Sequence, residues 1–267
     1  GPHYLSVMEC GLRIPVFLSA LLLLTNLSEA ERQRIISAVY EHAWLISRKL
    51  SLYSSLGNHT ICESVGLIYA GGLFKDQAQG RRWLEKGIGL LHTEIRHQIL
   101  NDGGPAEQSL NYHRFVLDLY WMAIGFLELN GLKDCAAWKK RLTMGEHFLS
   151  AFMDKSGNLP SIGDSDDGHA IAPGLKPQKP IPVLETKPYR VFNDAGYTIM
   201  YGKKASRLIF DHGPLGMAPL YNHGHADALS IILDMNDRPL LVDPGTFRYN
   251  GAPEWRRYFK STRSHNT

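Results

Sequence analysis

The chain has 267 residues, 44% hydrophobic and 21% charged, a composition that excludes a disordered tail, a collagen-like rod and a disulfide miniprotein. At about 150 residues per domain, the length allows one to two domains. The formal net charge is +3, from 29 basic and 26 acidic residues, too small an excess to argue for nucleic acid as a partner. Twelve histidines are the unusual figure, because histidine is the commonest metal ligand and titrates near neutral pH.

The longest apolar run, Val16 to Leu24 broken only by Ser19, is too short for a bilayer span, which needs about 20 apolar residues. Glu9 and Arg13 precede it and Asn26-Leu-Ser-Glu follows, which is not the layout of a signal peptide, so it reads as a buried helix. Ser28 with Glu31 three residues on has the form of a capping box. Ile35, Ile36, Val39, Ala43 and Ile46 then recur at helical spacing. Asn58 reads as an N-cap before a helix running on through Cys62 and Glu63. Helical periodicity continues over about 79–100, 111–129 and 136–153, with breaks at Asn101-Asp-Gly-Gly-Pro105 and Asn130-Gly131. Such helices bury their stripes against one another, giving an all-α layer of about five to seven helices over residues 1–155.

Residues 156–190, rich in Gly, Pro and Asp, read as a linker or active-site loop, and Asp164 to Asp167 within it as a solvated acidic turn. From 191 to 267 the period becomes two. Tyr197–Gly202, Ser206–Asp211, Ala228–Asp234 and Pro239–Asp243 read as antiparallel strands, with Asn236-Asp237 as a hairpin turn. Helices followed by strands indicate a multidomain α+β protein. Cys10, Cys62 and Cys135 are odd in number and widely spaced, which reads as buried thiols.

Tyr221-Asn-His223-Gly-His225-Ala-Asp227 is the richest stretch. His223 and His225 share a face if the segment is extended into a strand. Asp243 and His265 complete a His225-Asp243-His265 set whose nitrogen and oxygen donors suit Zn2+. Asp102-Gly-Gly-Pro-Ala-Glu107-Gln-Ser-Leu-Asn-Tyr112-His113-Arg114 is a loop-to-helix junction more polar than packing requires.

In this order, Asn58-His59, Asp102 to His113, Gly163-Asp-Ser-Asp, His223-x-His225-x-Asp227, Leu240-Leu-Val-Asp-Pro-Gly-Thr246 and Arg257 to Thr267 resemble the heparinase II/III family of polysaccharide lyases and the related alginate and oligoalginate lyases. The resemblance implies an incomplete α/α toroid followed by an antiparallel β-sandwich sheet, with the chain starting inside the first and ending inside the second. It implies β-elimination at a uronic acid in an acidic polysaccharide, heparin- or heparan-sulfate-like, with alginate or a bacterial exopolysaccharide as the alternative. It also implies a periplasmic or secreted enzyme with no membrane span.

Elimination needs the carboxylate neutralised, the C5 proton removed and the leaving oxygen protonated. The resemblance gives Asn58 and His59 the first task, Tyr112 the role of main acid or base and His223 that of its partner. It places Glu107, His113 and Arg114 against substrate, and gives a structural role to the divalent metal of His225, Asp243 and His265. Either His113, Arg114 or His223 is expected to supply the positive charge that a tyrosine base needs. Glu63, four residues beyond His59, either orients that ring or forms a surface ion pair. Two other readings remain: a zinc hydrolase, in which the metal activates water, and a non-catalytic carbohydrate-binding protein.

Overall fold

The computed structural model describes residues 6–53, 55–165, 170 and 187–267. Asp166, Asp167 and most of the Pro- and Lys-rich stretch lie outside the described residues. Among the described residues six α-helices precede the sheet: α1 (Val7–Leu23), α2 (Glu29–Arg48), α3 (Asn58–Leu73), α4 (Ala78–Gln98), α5 (Leu110–Leu129) and α6 (Ala136–Phe152). The described residues form two compact units.

The first unit comprises residues 6–95 and 118–138, with residue 170. In α1 the buried positions are Cys10, Gly11, Ile14, Pro15 and Leu18, a stripe at three- and four-residue spacing. The expected burial of the whole apolar run does not hold: Leu22 is 82% and Leu23 77% exposed, because these residues lie past that stripe at the helix end. α1 and α3 approach on glycine. A Cβ on Gly11 would strike the Cys62 carbonyl, and one on Gly66 would fall 2.7 Å from the Gly11 Cα. Val39, Ala43 and Ile46 of α2, Leu67 and Ala70 of α3 and Trp83 of α4 complete this core. Each such large apolar side chain contributes about 1.5–3 kcal/mol by leaving water. The Ser28–Glu31 capping box forms as expected, with both reciprocal bonds present.

The second unit comprises residues 96–117, 139–165 and 187–267. Its sheet contains β1 (Tyr189–Phe192), β2 (Tyr197–Tyr201), β3 (Arg207–Asp211), β4 (Ile231–Met235) and β5 (Arg238–Leu241), in the order β1-β2-β3-β4-β5 with every pair antiparallel. β1 was not read from the sequence: it has only four residues and borders the Pro-rich stretch. Asn236 and Asp237 take φ of 53° and 59°, the left-handed pair that a tight hairpin between β4 and β5 requires. Ala228 to Ser230 do not extend β4, because Leu229 turns into the left-handed region at φ 64°. Pro239, which cannot donate to a ladder, sits on the edge strand.

The inward face of the sheet, Phe192, Tyr197, Ile199, Ile209 and Ile232, is buried. Phe148 and Phe152 of α6 pack on it, Phe148 with its ring 4.6 Å from that of Phe192 and Phe152 with its ring 5.2 Å from that of Tyr197. A rigid sheet therefore stands behind the loops that follow β3 and β5. α7 (Pro253–Phe259) and a 3-10 turn at Thr262–Ser264 close the chain. The three cysteines are buried thiols, with no disulfide among the described residues. No helix among the described residues is long and apolar enough to cross a membrane.

Candidate active site

The Asp102–Tyr112 junction is held mainly by its own polar residues. Asp102 Oδ1 accepts from Gly104 N, and its Oδ2 accepts from the backbone NH groups of Asp194 and Ala195 at 2.7 and 2.8 Å. Ser109 Oγ donates to the Asp164 carbonyl and accepts from Tyr112 N, so it caps α5 and ties it to the 163–165 loop. His113 corrects an expectation. It is 2% exposed and its Nε2 bonds the Gly103 carbonyl at 2.8 Å, so it packs the junction from behind rather than meeting substrate. Burial pushes its imidazole down to about 4, so it stays neutral and supplies no charge to Tyr112. Arg114 is half-buried, and its Nε has no hydrogen-bond partner among the described residues.

Tyr112, one turn into α5, faces the other way from His113. Its ring stacks on the His223 imidazole with centroids 3.8 Å apart and planes at 22°. Its hydroxyl lies 2.9 Å from that of Tyr249. His223 Nδ1 is 3.0 Å from Asp164 Oδ2, and its Nε2 is 3.4 Å from Glu107 Oε2. The imidazole thus sits between two carboxylates with a phenol on its face.

His223 and His225 do not lie on a strand, as the alternation suggested. They sit in the irregular segment between β3 and β4, and Asp164 accepts from both. Lys260 Nζ anchors this segment through the Asn222 carbonyl at 2.8 Å, and Thr262 Oγ1 through that of Ala226 at 2.8 Å.

Asp166 and Asp167 lie outside the described residues, but for Asp164 the reading as part of a solvated acidic turn does not hold, for its side chain is fully buried. Besides the two histidines it binds Arg256 through both oxygens and accepts from Thr246 Oγ1 at 3.2 Å. Burial opposes its ionisation, yet bonds from His223, His225 and Arg256 hold the carboxyl well below its ordinary value. Arg256 is the cation that the sequence reading missed. Burial lowers its guanidinium, but Asp164, Tyr249 and Tyr112 more than offset this and hold it above its ordinary value. It also lies 4.7 Å over the Tyr249 ring. Only the tertiary structure brings α7 to this place, so no local pattern around Arg256 announces it.

His225, Asp243 and His265 come together, with one ligand atom from each inside a 4.8 Å set. His265 Nδ1 bonds Asp243 Oδ2 at 2.9 Å. His265 Nε2 and His225 Nδ1 are buried nitrogens without a hydrogen-bond partner among the described residues. Two such atoms beside a buried carboxylate fit a divalent cation, since an unsatisfied buried polar atom otherwise costs about 1–3 kcal/mol. Asn266 Nδ2, bonded to the Ile231 and Val242 carbonyls, fixes the backbone next to His265.

Asn58 and His59 belong to the first unit. Asn58 is not the N-cap: that position is Gly57 at φ 108°, and Asn58 is the first helical residue, 1% exposed. Glu63 forms no surface pair. It is fully buried, and its carboxylate accepts from Ser51 N and Oγ at 2.8 and 2.6 Å.

A helical region followed by an antiparallel sheet, with a tyrosine–histidine stack and a His-Asp-His set beside it, defines an α+β protein with a candidate catalytic site. Residues 6–172 match the heparinase II/III N-terminus and residues 185–267 the heparinase II/III-like C-terminal region, so the chain belongs to the heparinase II/III family. It is 26% identical over 242 residues to a heparin-sulfate lyase of Pedobacter heparinus, covering 80% of this chain and 36% of that protein. A heparin-sulfate lyase of Bacteroides stercoris is 33% identical over 85 residues, 32% of this chain and 13% of that protein. A crystal structure of heparinase III superposes with a TM-score of 0.81 at 20% identity, covering 98% of this chain and 46% of that one. That of a heparan sulfate lyase from Pedobacter heparinus gives 0.67 at 20% identity, covering 98% and 44%. The chain thus spans less than half the length of these relatives.

Proposed function

We propose that this chain is part of a polysaccharide lyase that cleaves a heparan-sulfate-type glycosaminoglycan by β-elimination. The observation that carries the reading is the Tyr112–His223 stack, with His223 between Asp164 and Glu107. An ordinary phenol ionises near about 10, so Tyr112 can donate a proton unaided and needs a cation in order to accept one. Arg256 serves as that cation, a role expected of His113, Arg114 or His223. Tyr112 and His223 divide the two proton transfers, one at C5 and one at the leaving oxygen. Asn58 and His59 keep the role of neutralising the uronate carboxylate as charge develops on it.

His225 and His265 would hold a divalent cation, most simply Zn2+, through the nitrogens left without partners, with Asp243 as the third donor. Bound there, the ion supplies structural cross-linking of the loops. The toroid and sandwich of the family complete the architecture. A periplasmic or secreted location goes with the reading, because a long anionic polymer does not cross a bilayer unaided.

The test uses the full-length protein that contains this chain, with heparan sulfate, heparin, hyaluronan, chondroitin sulfate, alginate and oligoalginate. Ultraviolet absorbance of the unsaturated uronate should rise with heparan sulfate and fail to rise in Tyr112→Phe. Absorbance with alginate alone would move the substrate to the alginate relatives. New reducing ends without absorbance would sink elimination in favour of hydrolysis.

A further inference from the structure

We propose that the exposed face built from Phe247, Arg248 and the aromatic and arginine side chains of α7 is a subsite for an anionic polysaccharide, one that holds the part of the polymer lying beyond the reacting sugar. The inference rests on the reading of the site as that of a lyase acting on such a polymer.

α7 buries none of its residues, although three of its seven are aromatic. Trp255 is 50% and Tyr258 45% exposed, and Phe247 in the preceding loop is 53% exposed. The rings form one cluster. Trp255 lies 6.0 Å from Tyr258 and 6.2 Å from Phe247, and Phe259 stacks on Phe247 at 6.1 Å. Half-exposed rings gathered in this way mark a binding surface rather than a core. Their flat apolar faces suit the C–H faces of a pyranose ring.

The charge around the rings selects an anionic occupant. Residues 247–267 hold five lysines and arginines against one acid, Glu254, while the whole chain has a net charge of only +3. Two of the five face inward: Arg256 binds Asp164 through both oxygens, and Lys260 bonds the Asn222 carbonyl. Arg248 and Arg257 are exposed and enter no ion pair among the described residues. Arg248 lies 5.0 Å over the Phe247 ring. A guanidinium grips sulfate or carboxylate in a two-point fork, and an aromatic face beside it takes the sugar that carries the anion.

Continuity with the catalytic groups gives the face its place. Arg256, between Trp255 and Arg257 in the chain, stands 4.7 Å over the Tyr249 ring, and the Tyr249 hydroxyl meets that of Tyr112. Tyr249 follows Phe247 by two positions. The same two short segments therefore carry both the contact to Tyr112 and the exposed face.

The test separates binding from turnover. A size-defined heparan-sulfate decasaccharide is titrated into the full-length protein carrying Tyr112→Phe, which keeps the ligand intact. Affinity is compared with and without Trp255→Ala, and with and without the pair Arg248→Gln and Arg257→Gln. Each change is expected to weaken binding by about tenfold, the usual cost of truncating an interface anchor. The arginine pair should also flatten the dependence of affinity on salt. In the protein that keeps Tyr112, the same changes should raise KM for heparan sulfate by a similar factor, with kcat within about threefold.

Both changes must act: unchanged affinity in either one overturns the subsite. If affinity holds while Trp255→Ala lowers the melting temperature, the face packs instead against the rest of the full-length chain. Should Trp255→Ala not fold, Tyr258→Ala takes its place under the same criterion. Weakened binding in these variants, in a protein that makes no unsaturated uronate, would keep the subsite and remove the lyase reading. Unsaturated uronate with unchanged affinity would do the reverse.

Discussion

The hydroxyl of Tyr112 lies 2.9 Å from that of Tyr249, and the guanidinium of Arg256 stands 4.7 Å over the Tyr249 ring. The two phenols are 137 positions apart in the chain, so the pair is a product of folding. Tyr249 can relay a proton to Tyr112 or stabilise its anion. Tyr112→Phe is expected to lower kcat by about 10²–10⁴-fold, the usual worth of a general acid–base group. Tyr249→Phe, which removes one hydrogen bond, is expected to lower it by about tenfold. Steady-state assays on heparan sulfate check both, and a larger loss in Tyr249→Phe would exchange the two roles.

The His225-Asp243-His265 set predicts bound metal. The full-length protein is expected to purify with about one divalent ion per chain, measured by elemental analysis, and His265→Ala to lose it. Because the ion is assigned to structure, the variant should melt at a lower temperature and be more readily cleaved by protease between β3 and β4. A His265→Ala protein that keeps its metal and its melting temperature would remove the site.

The buried imidazole of His113 predicts an acid-labile fold. Its folded value, about 4, lies below the ordinary 6.5, so the unfolded chain binds the additional proton between these two values. Stability is therefore fully present above about 6.5 and is lost as pH falls toward about 4, by roughly 3 kcal/mol from this group alone. His113→Gln keeps a donor for the Gly103 carbonyl and does not titrate. Urea unfolding from pH 7 to 4 should show the gap between the two proteins narrowing or reversing as pH falls, and parallel curves would count against the assignment.

Gly163 at φ 67° carries the turn that delivers Asp164. A Cβ there would fall 2.8 Å from the His223 carbonyl and would also strike that of Gln108. Gly163→Ala is expected to lower stability by about 1–3 kcal/mol and to depress kcat, since the carbonyl it displaces belongs to His223. Thermal melts and turnover check this; an active, equally stable variant would show that the loop is more forgiving than its contacts imply.

Much of this protein was legible in its sequence. Helical spacing placed α2, α4, α5 and α6 to within about two residues, because each carries an apolar stripe with capping or glycine signals at its ends. The Asn236-Asp237 turn and the strands around it followed from residues able to adopt left-handed backbone. The His225-Asp243-His265 set followed from donor chemistry. What the sequence could not decide was which polar residues face inward. Asp164 reads as a loop acid and His113 as a site residue, and each proved the opposite. The reason is that burial and partnership depend on contacts between distant segments: 59 positions join Asp164 to His223 and 92 join it to Arg256. A turn acid and a helix arginine carry no mark of each other until the fold removes water from between them, and from that point their pairing helps hold the Asp164 carboxyl well below its ordinary value.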